Sequence, residues 1–167
     1  TIEAGLIWTE LRARQDAKRL LVVCPAMLKP KWVAELSNRF GVQAQDVDAA
    51  TLLKRLEDAK EHPSHGFAMV ASLQGLRAPR GWDSDAEPPK SAAAKLSQFL
   101  FEMGSEPPMI DLVVVDEAHY LRNEATQTNK FAQLLRAVTQ SLVLLSATPI
   151  QTSSKDLFNL LHLLDED

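Results

Sequence analysis

The run from Ile110 to His119 constrains the fold of this chain more than any other segment. Four apolar residues, 112–115, lead directly into the carboxylates of Asp116 and Glu117, and His119 follows shortly after. An apolar run of this length bounded by polar residues is typical of a buried strand in a parallel sheet. Ligands of open α/β sheets bind at the carboxyl ends of such strands, so both carboxylates are predicted to lie at a ligand site. Because clustered charge beside a buried strand is costly, this arrangement favours a role such as holding a metal ion.

A second apolar strand ends in hydroxyl side chains. Leu142 to Leu145 is apolar and is followed by Ser146, Ala147 and Thr148. Pro149 would end the hydrogen bonding of that strand, because proline has no backbone N–H to donate. The two hydroxyls are therefore predicted to form a polar link beside the carboxylates.

The rest of the pattern alternates helices and strands, which predicts an α/β fold with a mainly parallel sheet and helices on both faces. The predicted strands are 19–24, 67–73, 110–115 and 142–145. The predicted helices are 1–17, 30–40 with Gly41 past its end, 50–59, 91–103, 126–138, and a last helix that runs through Leu164 after a capping box of Ser153 and Asp156. The first helix carries an apolar stripe of Ile2, Leu6, Ile7 and Leu11. Residues 77–90 contain Pro79, Gly81, Pro88 and Pro89 and are predicted to form a loop.

Length and composition are those of one soluble globular domain. The chain has 167 residues, with 46% hydrophobic and 24% charged residues. A net charge of −4 argues against a strongly basic nucleic-acid binder, but leaves room for a basic strip on one face. Cys24 is the only cysteine, so no intrachain disulfide can form; it is predicted to be a small core residue in a reducing compartment. No apolar run approaches the ~18 residues of a membrane span, and no signal peptide is visible.

The two strand-end motifs together resemble the DExx-box ATPases of the helicase superfamily. Asp-Glu-Ala-His at 116–119 matches the Walker B motif (motif II), and Ser-Ala-Thr at 146–148 matches motif III. The flanking sequences DEAHYLRN and LSATPIQTSSKDLFNLLHLL resemble those of Swi/Snf-type double-stranded DNA translocases. Residues 1–7, TIEAGLI, are similar to the segment that follows the P-loop Gly-Lys in this family. Their sequence most resembles that of the bacterial branch that includes the RNA-polymerase-recycling ATPase. Residues 20–35 resemble motif Ia.

This resemblance implies the fold of a RecA-like P-loop NTPase lobe. Residues 1–167 would then be a single N-terminal ATP-binding lobe, with the P-loop Gly-Lys upstream and a second lobe elsewhere in the parent protein. The isolated chain would not be expected to hydrolyse ATP. The implied partners are double-stranded DNA, the second RecA-like lobe, and RNA polymerase or another DNA-bound complex, with no membrane. The implied location is the bacterial cytoplasm in association with the nucleoid, or the nucleus in a eukaryote.

The resemblance also implies roles for individual residues, with ATP and Mg²⁺ as cofactors. Asp116 would hold Mg²⁺ together with the hydroxyl of Thr1, and Glu117 would be the catalytic base. His119 would link the nucleotide site to motif III. The coupling residues between nucleotide state and DNA grip would be Ser146, Thr148 and Gln151, whereas Thr152 departs from the asparagine usual in the family. The DNA-binding candidates are Lys29, Lys31, Ser72 and Arg122. His62, His65 and His162 have no metal-ligand spacing with His119, so no zinc site is expected there.

Structural interpretations stay open beside these roles. Asp116 could cap a turn, Glu117 could be a solvated surface residue, Thr1 could be a helix N-cap, and Trp32 could belong to the core. Two alternative functions also stay open. One is an unwinding helicase or the motor subunit of a restriction enzyme, and the other is a degenerate lobe that only binds protein.

Overall fold

The computed structural model describes residues 1–83, 90–123, 125–147 and 154–164. Its centre is a five-stranded sheet in which every strand pairing is parallel and the spatial order is β2-β3-β1-β4-β5. The strands are β1 Arg19–Cys24, β2 Gln45–Val47, β3 Phe67–Ser72, β4 Ile110–Val115 and β5 Thr139–Leu144. The expectations for Thr148, Gln151 and Ser153 fall outside the described residues.

Seven α-helices and two short 3₁₀ helices occur within the described ranges. The α-helices are α1 Ile2–Gln15, α2 Lys29–Phe40, α3 Ala49–Glu61, α4 Leu73–Leu76, α5 Ala92–Met103, α6 Gln127–Ala137 and α7 Ser154–His162. The 3₁₀ helices are Ala26–Leu28 and Ala118–Leu121. In these described residues, no helix has the length and apolar character that crossing a membrane requires.

Helices cover both faces of the sheet, as the sequence predicts. On one face Leu21 and Val23 of β1 belong to a core with buried residues of α3, α5 and α6. On the other face Leu20 and Val22 pack with buried residues of α1 and α2. Because successive side chains of a strand point to opposite faces, the apolar run 20–24 of β1 supplies both cores. The prediction of an α/β fold with a mainly parallel sheet is confirmed.

Several elements differ from the predicted pattern. The strand predicted as 142–145 spans Thr139–Leu144. The edge strand β2 was not predicted, because its Gln-Asp-Val sequence is short and only Val47 is buried. The helix α4 was not predicted; its first residue, Leu73, was expected to end a strand, and residues 74–76 lie before the predicted loop. It begins at Leu73 because the hydroxyl of Ser72 accepts a hydrogen bond from the backbone N–H of Gly75 at 3.0 Å, which caps the new helix.

The apolar stripe of α1 does not form its buried face. Ile2, Leu6 and Ile7 are exposed, whereas the helix buries Ala4, Gly5 and Trp8. A side chain on Gly5 would overlap the ring of Phe40 in α2, so the absence of one allows the two helices to approach closely. The buried face of α1 is therefore the one that carries Ala4, Gly5 and Trp8, because the glycine lets α2 approach it closely.

Candidate functional site

The register of the sheet brings the predicted site segments to one edge. Val23 is level with Val115, Cys24 with Ser72, and Val115 with Leu144. Two backbone hydrogen bonds continue the pairing beyond the strands, from Asp116 N–H to the carbonyl of Val23 and from Leu145 N–H to the carbonyl of Val115, each at 2.8 Å. The residues that follow β1, β3, β4 and β5 are therefore held together at the carboxyl edge, as the sequence predicts.

The carboxylate of Asp116 is fixed by two donors. The indole N–H of Trp32 donates to Oδ2 at 2.8 Å, and the backbone N–H of Glu117 donates to Oδ1 at 2.9 Å. Each carboxylate oxygen can accept more than one hydrogen bond or ligand contact, so these two donors leave each oxygen a lone pair for a further ligand. A partly buried carboxylate held in one orientation is suited to Mg²⁺, which prefers hard oxygen ligands and strict geometry.

The role of Trp32 was not predicted from the sequence. Its place in the core is confirmed, since the side chain is 2% exposed. Its hydrogen bond crosses from α2 to the end of β4, however, and joins residues far apart in the chain. The only signal in the sequence is general, because a buried tryptophan N–H usually has an acceptor.

Glu117 has a left-handed backbone, with φ 55° and ψ 46°. A residue with a side chain adopts this conformation at a cost of about 1–2 kcal/mol. Two hydrogen bonds hold the turn, from Ala118 N–H to the carbonyl of Leu145 at 2.8 Å and from Tyr120 N–H to the carbonyl of Glu117 at 3.1 Å. Such strain persists where the surrounding structure enforces it, and it is common at functional sites. The same turn joins the end of β4 to the residue before Ser146.

His119 lies beside Glu117. Its Nδ1 is 3.1 Å from Oε2 of Glu117, within ion-pair distance. The angle does not satisfy a hydrogen bond, and within the described ranges this buried nitrogen has no hydrogen-bond partner. The ring also packs against Tyr120, with 4.4 Å between centroids. The imidazole of His119 is therefore in direct electrostatic contact with the carboxylate of Glu117. The sequence did not indicate this contact.

Cys24 adds no charge to this edge. The side chain is fully buried, and burial, followed by the negative charge of Asp116, raises the pKa of its thiol to about 12. The thiol therefore stays protonated at neutral pH. Its predicted place in the core is confirmed.

The basic candidates for DNA binding differ in exposure and in whether an ion pair already holds the side chain. The ammonium of Lys29 pairs with Asp46 on β2 at 2.5 Å, and its side chain is only 21% exposed. The side chains of Lys31 and Arg122 are exposed. The backbone carbonyl of Arg122 accepts a hydrogen bond from the side-chain amide of Asn159 at 2.7 Å, which ties α7 to this edge.

The two hydroxyl candidates differ in whether a neighbouring helix uses them. The oxygen of Ser72 caps α4, as described above. Thr1 is the N-cap residue of α1, but its side chain makes no capping hydrogen bond. Its hydroxyl is therefore not used by the helix that it precedes.

A family model and curated relatives both match this chain. The family model described as SNF2-related domain matches residues 4–167. The chain is 32% identical over 164 residues to the uncharacterized ATP-dependent helicase YqhH of Bacillus subtilis, covering 98% of this chain and 24% of that protein. It is 30% identical over 170 residues to the RNA polymerase-associated protein RapA of Photobacterium profundum, covering 100% of this chain and 16% of that protein. The chain thus spans about a quarter or less of these relatives.

A solved structure shares the fold. The Sulfolobus solfataricus SWI2/SNF2 ATPase core in complex with dsDNA superimposes with a TM-score of 0.61 and 16% identity. The match covers 95% of this chain and 27% of that chain. This likeness supports the RecA-like fold.

Proposed function

Because the chain belongs to the SNF2-related domain family, we propose that it is the first RecA-like lobe of an ATP-driven double-stranded DNA translocase. The parent protein would supply the P-loop Gly-Lys upstream and a second lobe, and residues 1–167 would form one ATP-binding unit. The observation that carries this proposal is the orientation of Asp116 by Trp32 beside the strained backbone of Glu117. A structural strand end needs neither feature.

Asp116 is the proposed magnesium ligand, and the hydroxyl of Thr1 is its proposed partner. When bound, Mg²⁺ would neutralise charge on the phosphates of ATP. The protein's own contribution is to keep the carboxylate in one rotamer. The indole N–H of Trp32 and the backbone N–H of Glu117 do this without occupying all of the lone pairs of the carboxylate.

Glu117 is the proposed base that orients the attacking water. Phosphoryl transfer depends mainly on positioning and charge stabilisation, so a fixed backbone is valuable here. The contact between Nδ1 of His119 and Oε2 of Glu117 would help to hold the carboxylate beside the turn. The backbone N–H of Ala118 in that turn donates to the carbonyl of Leu145, so the turn is linked directly to the residue before Ser146. We propose Ser146, Thr148 and Gln151 as the coupling residues.

Contact with DNA is proposed for a local basic strip, since the whole chain carries a net charge of −4. Lys31 and Arg122 are the better-placed candidates because they are exposed, whereas Lys29 would first have to leave Asp46. Ser72 would contribute its hydroxyl proton. Such contacts position the protein on phosphates without reading sequence, so binding should weaken with salt. By analogy with RapA, whose name marks it as RNA polymerase-associated, a polymerase or another DNA-bound complex is the proposed obstacle or partner.

The test is steady-state ATPase activity of the full-length parent without nucleic acid and with duplex DNA, single-stranded DNA or RNA. We expect strong stimulation by duplex DNA. Glu117→Gln should lower turnover at least ~100-fold, because a positioned base contributes that much. Glu106→Gln, an exposed glutamate in the turn after α5, is the matched control and should leave turnover unchanged.

Other outcomes would select the alternatives. Stimulation only by single strands or RNA would favour an unwinding helicase, and the motor subunit of a restriction enzyme would be tested in the same way by strand displacement. No turnover with any nucleic acid would favour a degenerate lobe that binds protein. Turnover by the isolated 167-residue chain would contradict the need for the upstream P-loop lysine.

A further inference from the structure

Asp58, His62 and His65 form a compact cluster away from the carboxyl edge. Asp58 lies in the last turn of α3, His62 is the residue that ends that helix, and His65 lies just before β3. Nδ1 of His62 is 3.2 Å from Oδ1 of Asp58, and Nδ1 of His65 is 2.9 Å from Oδ2. One ligand atom from each residue can be chosen so that all lie within 4.8 Å of one another. Because β3 starts after His65, the cluster lies at the amino end of the parallel strands.

The buried guanidinium of Arg19 holds the turn that carries the histidines. It donates to the carbonyl oxygens of Pro63 at 2.8 Å, His65 at 2.9 Å and His62 at 3.4 Å. The guanidinium also donates a hydrogen bond to the carbonyl of Ala59 at 3.0 Å. All of these bonds go to backbone oxygens, so Arg19 occupies neither the imidazole rings nor the carboxylate. The polar contacts of the two rings are with Asp58, and they include one of 3.3 Å between Nδ1 of His62 and the backbone carbonyl of Asp58. The ring centroids of the two histidines are 4.7 Å apart and their planes differ by 16°.

The chemistry of these ligands selects a class of ion. Two imidazole nitrogens and one carboxylate oxygen suit Zn²⁺ and neighbouring transition ions, whereas Mg²⁺ and Ca²⁺ prefer all-oxygen sites. The side chains of the three residues are 37–54% exposed, so an ion could enter and water could complete its coordination. The spacing of these histidines from His119 predicted no zinc site, whereas in the structure both lie beside Asp58.

We propose that Asp58, His62 and His65 bind one divalent transition ion of the Zn²⁺ type. The ion would link the end of α3 to the beginning of β3, at the opposite edge of the sheet from Asp116. It would act as a brace, because the ligands come from two sides of one turn. This site is independent of the proposed function, since it uses none of the residues assigned to ATP or DNA.

The test is calorimetric titration of the chain with ZnCl₂, and with MgCl₂ for comparison. We expect one Zn²⁺ per chain and no displacement of it by millimolar Mg²⁺. Asp58→Asn, His65→Gln and the double variant His62→Gln/His65→Gln should each weaken Zn²⁺ binding by at least tenfold, which is at the low end of the loss usual even for residues that only support metal ligands. His162→Gln removes an exposed histidine of α7 and should bind Zn²⁺ like the unaltered chain.

A second measurement guards against loss of folding. Since all three side chains are partly exposed, urea unfolding of the metal-free variants should match that of the unaltered chain. In NMR spectra, Zn²⁺ should shift the ring signals of His62 and His65 but not those of His162. Zn²⁺ binding that persists in the double variant, or no binding by the unaltered chain, would overturn the proposal. Neither result would bear on the ATPase experiment, which is read in the full-length parent with Mg²⁺.

Discussion

At the scale of single residues, two buried tryptophans on the same face of the sheet have different surroundings. Trp8 and Trp32 are 3% and 2% exposed and belong to the same core. The indole N–H of Trp32 donates to Asp116, whereas within the described ranges that of Trp8 has no acceptor. Comparing substitutions at the two positions therefore separates the stabilisation from one hydrogen bond from the stabilisation that comes from packing of an indole.

We expect Trp32→Phe to destabilise the chain more than Trp8→Phe. Both substitutions remove the same atoms from the core, but only the first leaves a partly buried carboxylate without its donor. Hydrogen bonds to charged groups contribute about 1.5–3 kcal/mol, so the free energies of unfolding should differ by roughly that amount. Urea unfolding of the two variants beside the unaltered chain measures it. Equal losses in the two variants would show that the indole of Trp32 only fills space.

At the scale of secondary-structure elements, α3 has a side-chain cap. Oδ1 of Asp48 accepts a hydrogen bond from the backbone N–H of Thr51 at 2.8 Å. This hydrogen bond is the largest cause that lowers the pKa of Asp48 below its usual 3.8. The charged form is thus favoured in the folded chain. Its stabilising contribution is complete above the pKa of the unfolded chain and is lost as the pH falls through the lower pKa of the folded chain.

We expect Asp48→Ala to lower the free energy of unfolding by about 1 kcal/mol at pH 7, as loss of a helix N-cap usually does. Asp48→Asn should keep most of the stability, because its amide oxygen can accept the same hydrogen bond. Urea unfolding from pH 7 down to pH 3 provides the comparison. The advantage of the unaltered chain over the asparagine variant should shrink only at the acid end, below about pH 4. A constant difference across this range would contradict the assigned cap.

The elements show what could be predicted from sequence. Strands 19–24 and 110–115 were predicted with their observed bounds, because the apolar runs 20–24 and 112–115 within them mark strands buried on both faces. The end of α2 at Gly41 was also predicted, and its φ of 64° explains the glycine. The edge strand β2 and the buried face of α1 could not be read from local periodicity. Both depend on neighbours that are distant in the chain.

The same distinction holds within the candidate site. Asp116, Glu117 and Ser146 were located because each follows a recognisable strand, and the register of the sheet then brings these strand ends together. The bond from Trp32 and the left-handed backbone of Glu117 were not predicted. They arise from tertiary packing, which the pattern of residue types in one segment does not encode.

At the scale of the whole molecule, Arg19 connects separate parts of the chain. Its guanidinium donates to the carbonyl of Met109 at 3.0 Å as well as to the end of α3 and the turn before β3. The carbonyl of Ala59 lacks its usual helical donor, because residue 63 is a proline without a backbone N–H. A buried guanidinium with several donors satisfies these oxygens together, which no neutral side chain in this core could do.

We expect Arg19→Lys to lower the free energy of unfolding by about 1–3 kcal/mol, since an ammonium has fewer donors and leaves buried carbonyls without partners. Arg39→Lys, at an exposed position of α2, is the control and should change stability by less than about 0.5 kcal/mol. Urea unfolding of both variants gives the comparison. If the two substitutions cost the same, Arg19 does not join the segments as its hydrogen bonds indicate.

The central position of β1 has a consequence for how this chain is made. Val22 pairs with Val70 on one side and with Val114 on the other, which are synthesised about fifty and about ninety residues later. The strand β1 therefore emerges from the ribosome long before either neighbour exists. Until β4 has been translated, β1 is an exposed edge that can pair with other chains. We expect folding to be slow and completed late, and early release of the nascent chain to favour aggregation.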